Sequence, residues 1–278
     1  MPELPEVETM RRGIAGVVGS RVASVEKVRC PRKPILFTPR SDSFRRRVAG
    51  RPITAVDRIG KRVLARLDSG DAIVFEPRMT GLVLTGASPD PVYLRVQIDL
   101  AGGDVDRLWY WDRRGLGNVR LLSPGEQRTV FGPDRLGPDG LVVTAADLRD
   151  RLRQSRRAVK VALLDQKVVA GIGNIYAAEI LHVAGVHPGT PCRRLTKKRW
   201  RAVADATHEV LEDAIRHEGS TLGDGTYRNA LNQDGSYQNQ HRVYGLEGQR
   251  CRRCDDEIRR VVQAQRSTFF CPGCQTRR

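Results

Sequence analysis

Short apolar runs separated by turn-forming residues make up the first half of the chain, and they are rich in β-branched, leucine and aromatic residues. Four of these runs span 22–28, 63–67, 72–75 and 108–111. Runs of this length and composition predict β-strands. Residues 68–71, Asp-Ser-Gly-Asp, lie between two of the runs and predict a hairpin turn. A helix is predicted before the strands, over residues 5–18, because Pro5 suits a first helical turn.

The second half of the chain shows helical periodicity instead. It predicts helical segments over 145–153, 158–169, 175–184 and 196–217. Thr144 is the expected cap of the first segment, with Asp147 three residues later as in a capping box, and Thr196 is the expected cap of the last. Glycine-containing residues 170–174 interrupt the pattern, and a glycine-rich polar loop occupies 219–241.

The change from a strand pattern to a helical pattern predicts an α+β protein of several parts. A glycine- and proline-rich stretch at 132–143 is typical of a linker between domains. We therefore expect an N-terminal β domain over 1–131, a helical domain over 144–242 and a terminal cysteine module over 243–278. The chain of 278 residues is long enough for these parts to have a substantial core.

The charge of the chain narrows the class of partner. Lysine and arginine number 48 against 32 acidic residues, so the formal net charge is +16. This excess favours a polyanion, either nucleic acid or an anionic membrane surface. No apolar run approaches the roughly 20 residues of a spanning helix, and the N-terminus does not resemble a signal peptide. We expect a soluble intracellular protein; arginine-rich composition is also typical of high-GC genomes, so charge alone identifies no function.

Four of the six cysteines are clustered near the C-terminus, whereas Cys30 and Cys192 are isolated. The clustered ones form two Cys-x-x-Cys pairs, Cys251 with Cys254 and Cys271 with Cys274. Four thiolates at this spacing predict one structural Zn²⁺ with no open position for catalysis. Four free cysteines or an iron–sulfur site are the alternatives. The residues between the pairs predict a β-hairpin with Arg266 near its tip, suited to a phosphate backbone.

The N-terminal sequence Met-Pro-Glu-Leu-Pro-Glu has two interpretations. It could be a proline-containing helix start whose acidic residues favour the helix dipole. Alternatively, removal of Met1 leaves Pro2 with a free secondary amine. An α-amino group titrates near neutrality, so a fraction of it is nucleophilic at pH 7. Attack of that amine on a sugar C1′ gives an iminium, with Glu3 beside it as acid and base.

These motifs together resemble the formamidopyrimidine-DNA glycosylases, the Fpg/Nei family. The likeness begins in residues 1–9, Met-Pro-Glu-Leu-Pro-Glu-Val-Glu-Thr, and ends in the cysteine module containing Arg266. Between them, similar motifs occupy 59–62, 78–81, 136–139, 164–167 and 171–176. The leucine at position 4 resembles the residue found there in the branch of the family that acts on oxidised purines. The resemblance implies an N-terminal β-sandwich with a flanking helix, a helix–two-turn–helix domain and a zinc-finger β-hairpin.

The resemblance also implies roles for matching residues. Pro2 would be the Schiff-base nucleophile, Glu3 the general acid and base, and Glu6 a supporting residue. Lys61 would contact phosphate and assist β-elimination, and Arg266 would grip phosphate and act in δ-elimination. Further DNA contacts are expected at Arg156, Lys160, Lys167, Asn174 and Tyr244.

An enzyme that extrudes a nucleotide must fill the gap that the nucleotide leaves. Met79 resembles the intercalating methionine of the family, and Arg114 resembles the arginine that faces the orphaned base. Leu116 stands where the family has a phenylalanine wedge; leucine still wedges a base step but stacks less well. Residues 92–95 lack the family's strand histidine, and the lesion-capping loop over 219–237 is longer than usual. These departures bear on base preference.

We therefore expect a bifunctional glycosylase/lyase that excises oxidised purines, such as 8-oxoguanine and formamidopyrimidines, from damaged double-stranded DNA. The alternatives are an endonuclease VIII-like enzyme for oxidised pyrimidines and a damage-binding protein that has lost catalysis. The joint presence of Pro2, Glu3, Lys61 and Arg266 argues against the latter. We expect a monomer without membrane association, in the cytoplasm with the nucleoid.

Overall fold

The computed structural model describes residues 2–223 and 225–276. Its contacts divide the chain into two compact units. The first unit contains 1–132 and 217–236, and the second contains 133–216 and 237–278. Helices and strands are both present, with nearly all the strands in the first unit, as an α+β protein requires. No helix in the described ranges has the length and apolar character needed to cross a bilayer.

The helices are α1 (Leu4–Gly13), α2 (Ser41–Val48), α3 (Pro124–Phe131), α4 (Ala145–Leu152), α5 (Val159–Leu163), α6 (Asn174–Val183) and α7 (Lys197–Arg216). The strands of the first unit are β1 (Arg21–Lys27), β2 (Leu36–Thr38), β3 (Ile53–Ile59), β4 (Arg62–Leu67), β5 (Ala72–Glu76), β6 (Gly81–Leu84), β7 (Leu94–Ala101), β8 (Arg107–Asp112) and β9 (Asn118–Leu122). The second unit contains β10 (Arg259–Gln263) and β11 (Arg266–Phe270).

The first unit is a β-sandwich. One sheet has the strand order β1-β7-β8-β6 and the other β2-β9-β5-β4-β3. Alternate side chains of both sheets enter one hydrophobic core, to which Ile98 and Tyr110 contribute from one sheet and Val63 and Phe75 from the other. Val7 of α1 lies in the same core, so the flanking helix is fixed through its apolar face. The predicted sandwich is confirmed.

The second unit is built from helices and the terminal hairpin. Thr144 caps α4 as predicted, because its hydroxyl accepts a hydrogen bond from the Asp147 N–H while Asp147 caps in return. Two predicted boundaries are wrong. The predicted helix over 158–169 ends at Leu163, and the backbone then makes tight turns, with Val168 N donating to the Asp165 carbonyl. The predicted helix over 5–18 ends at Gly13, and a short 3₁₀ turn follows at Ala15–Val17.

Residues 217–236 group with the first unit, whereas the sequence pattern assigns all of them to the helical domain over 144–242. Hydrogen bonds account for the grouping. The backbone N–H groups of Thr85 and Gly86, which follow β6, both donate to the Ala230 carbonyl. Gly13 of α1 leaves room for Ala230, since a Cβ on Gly13 would lie 2.5 Å from that of Ala230. This loop is therefore anchored to the N-terminal sandwich.

Candidate active site

The N-terminal residues are held in a buried acidic site at the start of α1. Pro2 is buried, and Glu3 and Glu6 are each 1% exposed. The Glu3 N–H donates to Glu6 Oε2 at 2.8 Å, which fixes the backbone beside Pro2. A proline at this position and two carboxylates within one turn are thus brought together as predicted. Met1, whose removal would free the Pro2 amine, lies outside the described residues.

The loop after α7 supplies the second fixed point for Glu6. The Ser220 N–H donates to Glu6 Oε1 at 2.8 Å, so backbone groups hold both carboxylate oxygens. The Tyr227 hydroxyl donates to the Glu218 carbonyl at 2.8 Å. Burial, reinforced by the charge of Glu6, holds the pKa of Tyr227 well above its usual value, so this hydroxyl remains a donor. Gly219, at a φ of +79°, permits the close approach because a Cβ there would lie 2.8 Å from Glu6.

Lys61 lies in the two-residue turn between β3 and β4. Gly60 supplies the positive φ that such a turn needs. Arg58 reaches the Gly60 carbonyl at 3.0 Å and Glu8 Oε2 of α1 at 3.1 Å. The turn that carries Lys61 is therefore tied to the helix that begins beside Pro2.

Met79, Arg114 and Leu116 lie on two neighbouring loops. Met79 is in the turn between β5 and β6 and is 36% exposed; Arg114 is exposed and Leu116 half-buried between β8 and β9. Asp112, fully buried, connects the loops: its carboxylate accepts hydrogen bonds from the Thr80 hydroxyl, the Arg114 N–H and the Gly117 N–H. One buried carboxylate thus fixes all three predicted gap-filling positions.

In the second unit, Asn174 and Lys160 form a polar cluster with the hairpin. Lys160, 1% exposed, donates from Nζ to Asn174 Oδ1 at 2.7 Å, to the Ser267 carbonyl at 2.9 Å and to the Thr268 hydroxyl at 2.7 Å. Asn174 Nδ2 also donates to the Ser267 carbonyl, at 3.1 Å. Lys160 therefore holds the residues next to Arg266, and its ammonium faces protein acceptors; its predicted contact with DNA stays a prediction.

Arg266 begins β11 directly after the tip of the hairpin and is exposed. Ala264 and Gln265 form the tip with φ values of +45° and +60°, which match a tight two-residue turn. Tyr244 packs edge-on against Phe269 of β11, with ring centroids 5.1 Å apart, so the structure assigns it a packing contact. The hairpin with Arg266 at its tip forms as predicted.

Arg156 and Lys167 are exposed on the surface of the second unit. The turn that carries Lys167 is held by Gln166, whose side chain donates to the Ile172 carbonyl at 2.9 Å and accepts from the Gly171 N–H at 2.9 Å. Gly171 has a φ of +103°, a conformation that favours glycine. This turn leads directly into the N-terminus of α6, where Asn174 lies.

The four clustered cysteines form a metal centre. Their Sγ atoms all lie within 4.8 Å of one another, which suits one tetrahedral ion better than disulfides or dispersed thiols. Cys251 Sγ also lies 3.5 Å from His182 Nε2 of α6, and a polar contact of this kind orients a thiolate ligand. Cys30 and Cys192 are outside this group, as predicted.

The sequence analysis missed three buried groups that position these residues. Asp112 fixes the two loops, and the Ser220 backbone fixes Glu6. Glu179 of α6, fully buried, accepts from the N–H groups of Arg242, Val243 and Tyr244 and thereby fixes the chain entering the cysteine module. A carboxylate within the apolar pattern of α6 was the available signal for Glu179, because such a group requires buried donors.

Three family models match the chain in the order of its parts. The formamidopyrimidine-DNA glycosylase N-terminal domain matches residues 1–119, and the H2TH domain of the same glycosylases matches 136–225. A zinc finger found in FPG and IleRS matches 248–277. The last match supports zinc as the ion of the four cysteines. The three matches together cover both units of the structure.

Curated relatives and solved structures agree with these matches. The chain is 43% identical to a formamidopyrimidine-DNA glycosylase of Chloroflexus aggregans, over 99% of this chain and 98% of the relative. It is 39% identical to that of Bacillus subtilis, over the full length of both. The MutM (Fpg) protein of Thermus thermophilus superposes with a TM-score of 0.85 at 36% identity, over 99% and 98% of the chains. Lactococcus lactis Fpg in complex with abasic-site DNA gives 0.86 at 30% identity, over 99% of each.

Proposed function

The chain belongs to the formamidopyrimidine-DNA glycosylase family, and on that premise we propose that it excises oxidised purines from damaged double-stranded DNA and cleaves the resulting abasic site. The observation that carries the proposal is the N-terminal site. Pro2 is buried beside Glu3, and Glu6 is held through both oxygens by the backbone of Glu3 and of Ser220. A buried proline amine flanked by carboxylates suits covalent catalysis better than a helix start alone requires.

The proposed reaction begins when the Pro2 amine, freed of Met1, attacks C1′ of the extruded nucleotide. Its lone pair forms the N–C1′ bond, the bond to the base breaks, and the base leaves with a proton that Glu3 supplies. Glu3 then takes the proton of the proline ammonium and returns it to O4′ as the C1′–O4′ bond breaks, which gives an iminium that acidifies the C2′ protons. Loss of a C2′ proton then expels the 3′ phosphate, with Lys61 assisting, and a second elimination with Arg266 expels the 5′ phosphate.

The binding residues divide between gap filling and phosphate contact. Met79, Arg114 and Leu116 are proposed to occupy the space of the extruded nucleotide. Arg156, Lys167, Asn174 and Tyr244 are proposed to contact the backbone around it, with Lys160 acting through Asn174. The large positive charge favours this partner. We further propose one structural zinc per chain and a monomeric enzyme in the cytoplasm, associated with the nucleoid.

Borohydride trapping tests the nucleophile. With a duplex carrying one 8-oxoguanine, the native chain is expected to form a covalent adduct that maps to Pro2 by mass. An N-terminal extension blocks the amine and is expected to abolish the adduct while DNA binding persists. Pro2→Gly keeps an amine, primary and flexible, and is expected to trap at a reduced rate. An extended chain that still traps at full rate would move the nucleophile elsewhere, first to Lys61.

The substrate class is tested with a panel of duplexes that each carry one lesion. Excision of 8-oxoguanine and formamidopyrimidines is expected to be faster than excision of oxidised pyrimidines by the native chain. Faster excision of oxidised pyrimidines would support an endonuclease VIII-like enzyme. Binding without any adduct would support a damage-binding protein.

A further inference from the structure

A cluster of three arginines surrounds one buried carboxylate on the face of the five-stranded sheet that points away from the sandwich core. We call Arg62, Arg78 and Arg120, with Glu76 between them, the arginine cluster. Arg78 Nε lies 2.9 Å and an Arg62 terminal nitrogen 3.2 Å from Glu76 Oε1, and an Arg120 terminal nitrogen lies 3.8 Å from Glu76 Oε2. The cluster has three positive charges and one negative charge.

Glu76 does not satisfy the donors around it. Its carboxylate, 9% exposed, also accepts from Asn118 at 3.2 Å, and the Arg120 nitrogen at 3.8 Å is beyond hydrogen-bond distance. Among the described residues, the buried Nε groups of Arg62 and Arg120 have no hydrogen-bond acceptor. A buried donor without an acceptor is costly, so these two side chains are not held in place by hydrogen bonds to Glu76 alone.

The electrostatics of the cluster favour binding of an anion. Burial, together with the charges of Arg62 and Arg78, lowers the pKa of Arg120 although Glu76 opposes this. Arg62 and Arg120 are each 20% exposed and Arg78 is 55% exposed, so an anion can reach the cluster from solvent. The ring of Phe131 in α3 supports the Arg62 guanidinium from one side, at 5.7 Å.

The backbone of Arg78 provides an independent observation. Its φ is +53°, a left-handed conformation that is unfavourable for a residue other than glycine. The same turn presents Met79, and Thr80 of this turn binds the buried Asp112 that fixes Arg114. An arginine therefore occupies a strained position directly before the residue proposed to enter the DNA, and strain of this kind is concentrated at functional sites.

We propose that the arginine cluster is a binding site for a backbone phosphate of the DNA, beside the base step that Met79 enters. A phosphodiester supplies two unesterified oxygens and one negative charge, which match the free guanidinium donors and the excess positive charge. Glu76 keeps the three side chains converged before DNA arrives. The inference rests on the proposed function, since it requires damaged duplex as the ligand.

Two substitutions test the site by equilibrium binding to a duplex that carries a tetrahydrofuran abasic analogue. Arg78→Gly is expected to weaken binding about tenfold, as for one lost charge-assisted contact. The slope of log affinity against log salt should fall by about 0.9. The melting temperature should stay equal or rise, because glycine relieves the positive φ. Arg120→Gln should weaken binding similarly.

Arg46→Ala is the matched control, because Arg46 is an exposed arginine of α2 in the same unit. It removes the same charge and should change affinity by less than about threefold, as expected for charge alone. A purely structural cluster would instead lower the melting temperature in both test variants. If Arg78→Gly and Arg120→Gln lose no more DNA affinity than Arg46→Ala, the proposal is wrong.

A methylphosphonate scan locates the phosphate. One neutral linkage at a time is placed through both strands near the abasic analogue. At one linkage the neutral phosphate should weaken binding of the native chain about tenfold but have little further effect on Arg78→Gly. If each neutral linkage weakens binding of Arg78→Gly as much as it weakens binding of the native chain, the proposal is wrong. Borohydride trapping of the native chain is run in parallel; its absence would reject the proposed function instead.

Discussion

The helix that begins beside Pro2 and the hairpin that carries Arg266 each present one residue proposed for the reaction, but different forces hold them. Helix α1 is packed into the large sandwich core, and Leu4, Val7 and Met10 are fully buried. The hairpin strand β10 is exposed over most of its length. Burial of apolar surface stabilises the first region, whereas the second has few apolar side chains to bury.

The cysteine module makes up this deficit with metal ligands. Its small core contains Cys251 and Cys271 together with Val243 and Ile258. Two of its five buried members, of which Ala178 is the fifth, are thus themselves metal ligands. Because a preformed site is absent from the unfolded chain, metal-binding free energy contributes directly to folding of such a module. The sandwich can therefore fix an active residue by packing alone, whereas the hairpin depends on its ion.

The largest effect on DNA binding is expected from removing one metal ligand. Cys254→Ser should release zinc, loosen the hairpin and weaken DNA binding roughly 10- to 100-fold, since contacts to charged groups contribute about 1.5–3 kcal/mol each. Elemental analysis should find one zinc per native chain and little in the variant. Hydrogen exchange should accelerate in 259–270 and stay slow in α1.

Cys30→Ser is the control, because a serine hydroxyl can replace the thiol that donates to the Val92 carbonyl at 3.0 Å. It should retain zinc and slow exchange of the hairpin. Active native protein without zinc, or a hairpin that stays protected in Cys254→Ser, would contradict the metal-dependent half of the comparison.

A substitution in the sandwich core tests the other half of the comparison. Phe75 is fully buried, and its ring stacks near that of Tyr110 with centroids 5.9 Å apart. Phe75→Ala should lower the free energy of unfolding by about 3–5 kcal/mol, because it leaves a cavity in the shared core. Denaturant unfolding monitored for the first unit measures this loss, and zinc content should not change.

Leu36→Ala is the control for this substitution, since Leu36 is half exposed on β2. It should change the free energy of unfolding by less than about 0.5 kcal/mol. Loss of zinc in Phe75→Ala would show that the two regions do not fold by separate means, and the comparison would then need revision.

A smaller, pH-dependent effect is expected from Glu8, which connects α1 to the Lys61 turn. Burial raises the pKa of Glu8, but hydrogen bonds from Arg11 and Arg12 and the charges of Arg11 and Arg58 outweigh it, so the pKa lies below its usual value. A carboxyl group whose pKa is lower in the folded chain than in the unfolded chain stabilises the fold at pH values above the unfolded pKa of about 4.3. This contribution is lost as the pH falls through the folded pKa.

Glu8→Gln should therefore cost roughly 1–3 kcal/mol at neutral pH and progressively less below about pH 4. Urea unfolding at a series of pH values measures the difference from the native chain. Glu26→Gln, an exposed strand position, should show no such pH dependence. A Glu8→Gln cost that stays constant from neutral to acid pH would show that the ion pairs contribute nothing.

Local signals explain which structural features could be predicted. The cap formed by Thr144 and Asp147 and the hairpin turn at 68–71 depend on neighbouring residues, and both were predicted correctly. The cysteine spacing gave the metal centre for the same reason. The end of α5 was missed because apolar residues continue past Leu163, and the sequence pattern does not distinguish tight turns packed in a core from a helix.

Long-range partners explain what sequence reasoning could not supply. Ser220 holds Glu6 from 214 positions away, and Lys160 meets Thr268 from 108 positions away. The local periodicity of the sequence does not indicate such distant pairs. The resemblance predicts a DNA contact for Lys160, whereas in the structure its ammonium lies among protein acceptors. The order of the family motifs led to the expected site residues, whose roles stay predictions, while only the fold gave the groups that position them.

The smallest effect is expected at Leu116, which lies on the loop that Asp112 fixes and is only half-buried. Because hydrogen bonds to Asp112 hold the backbone on both sides of Leu116, Leu116→Gly should leave stability within about 1 kcal/mol of the native value. Base excision should slow more than binding to undamaged duplex weakens, since the wedge acts only when a nucleotide is extruded. Leu116→Phe should excise at the native rate or faster, because an aromatic ring stacks on bases more strongly.

Single-turnover excision of 8-oxoguanine and parallel binding to intact duplex separate the two steps. If Leu116→Gly and Leu116→Phe lose excision rate equally and both melt at a lower temperature, Leu116 belongs to the core. The loop would then be held in the same way as α1.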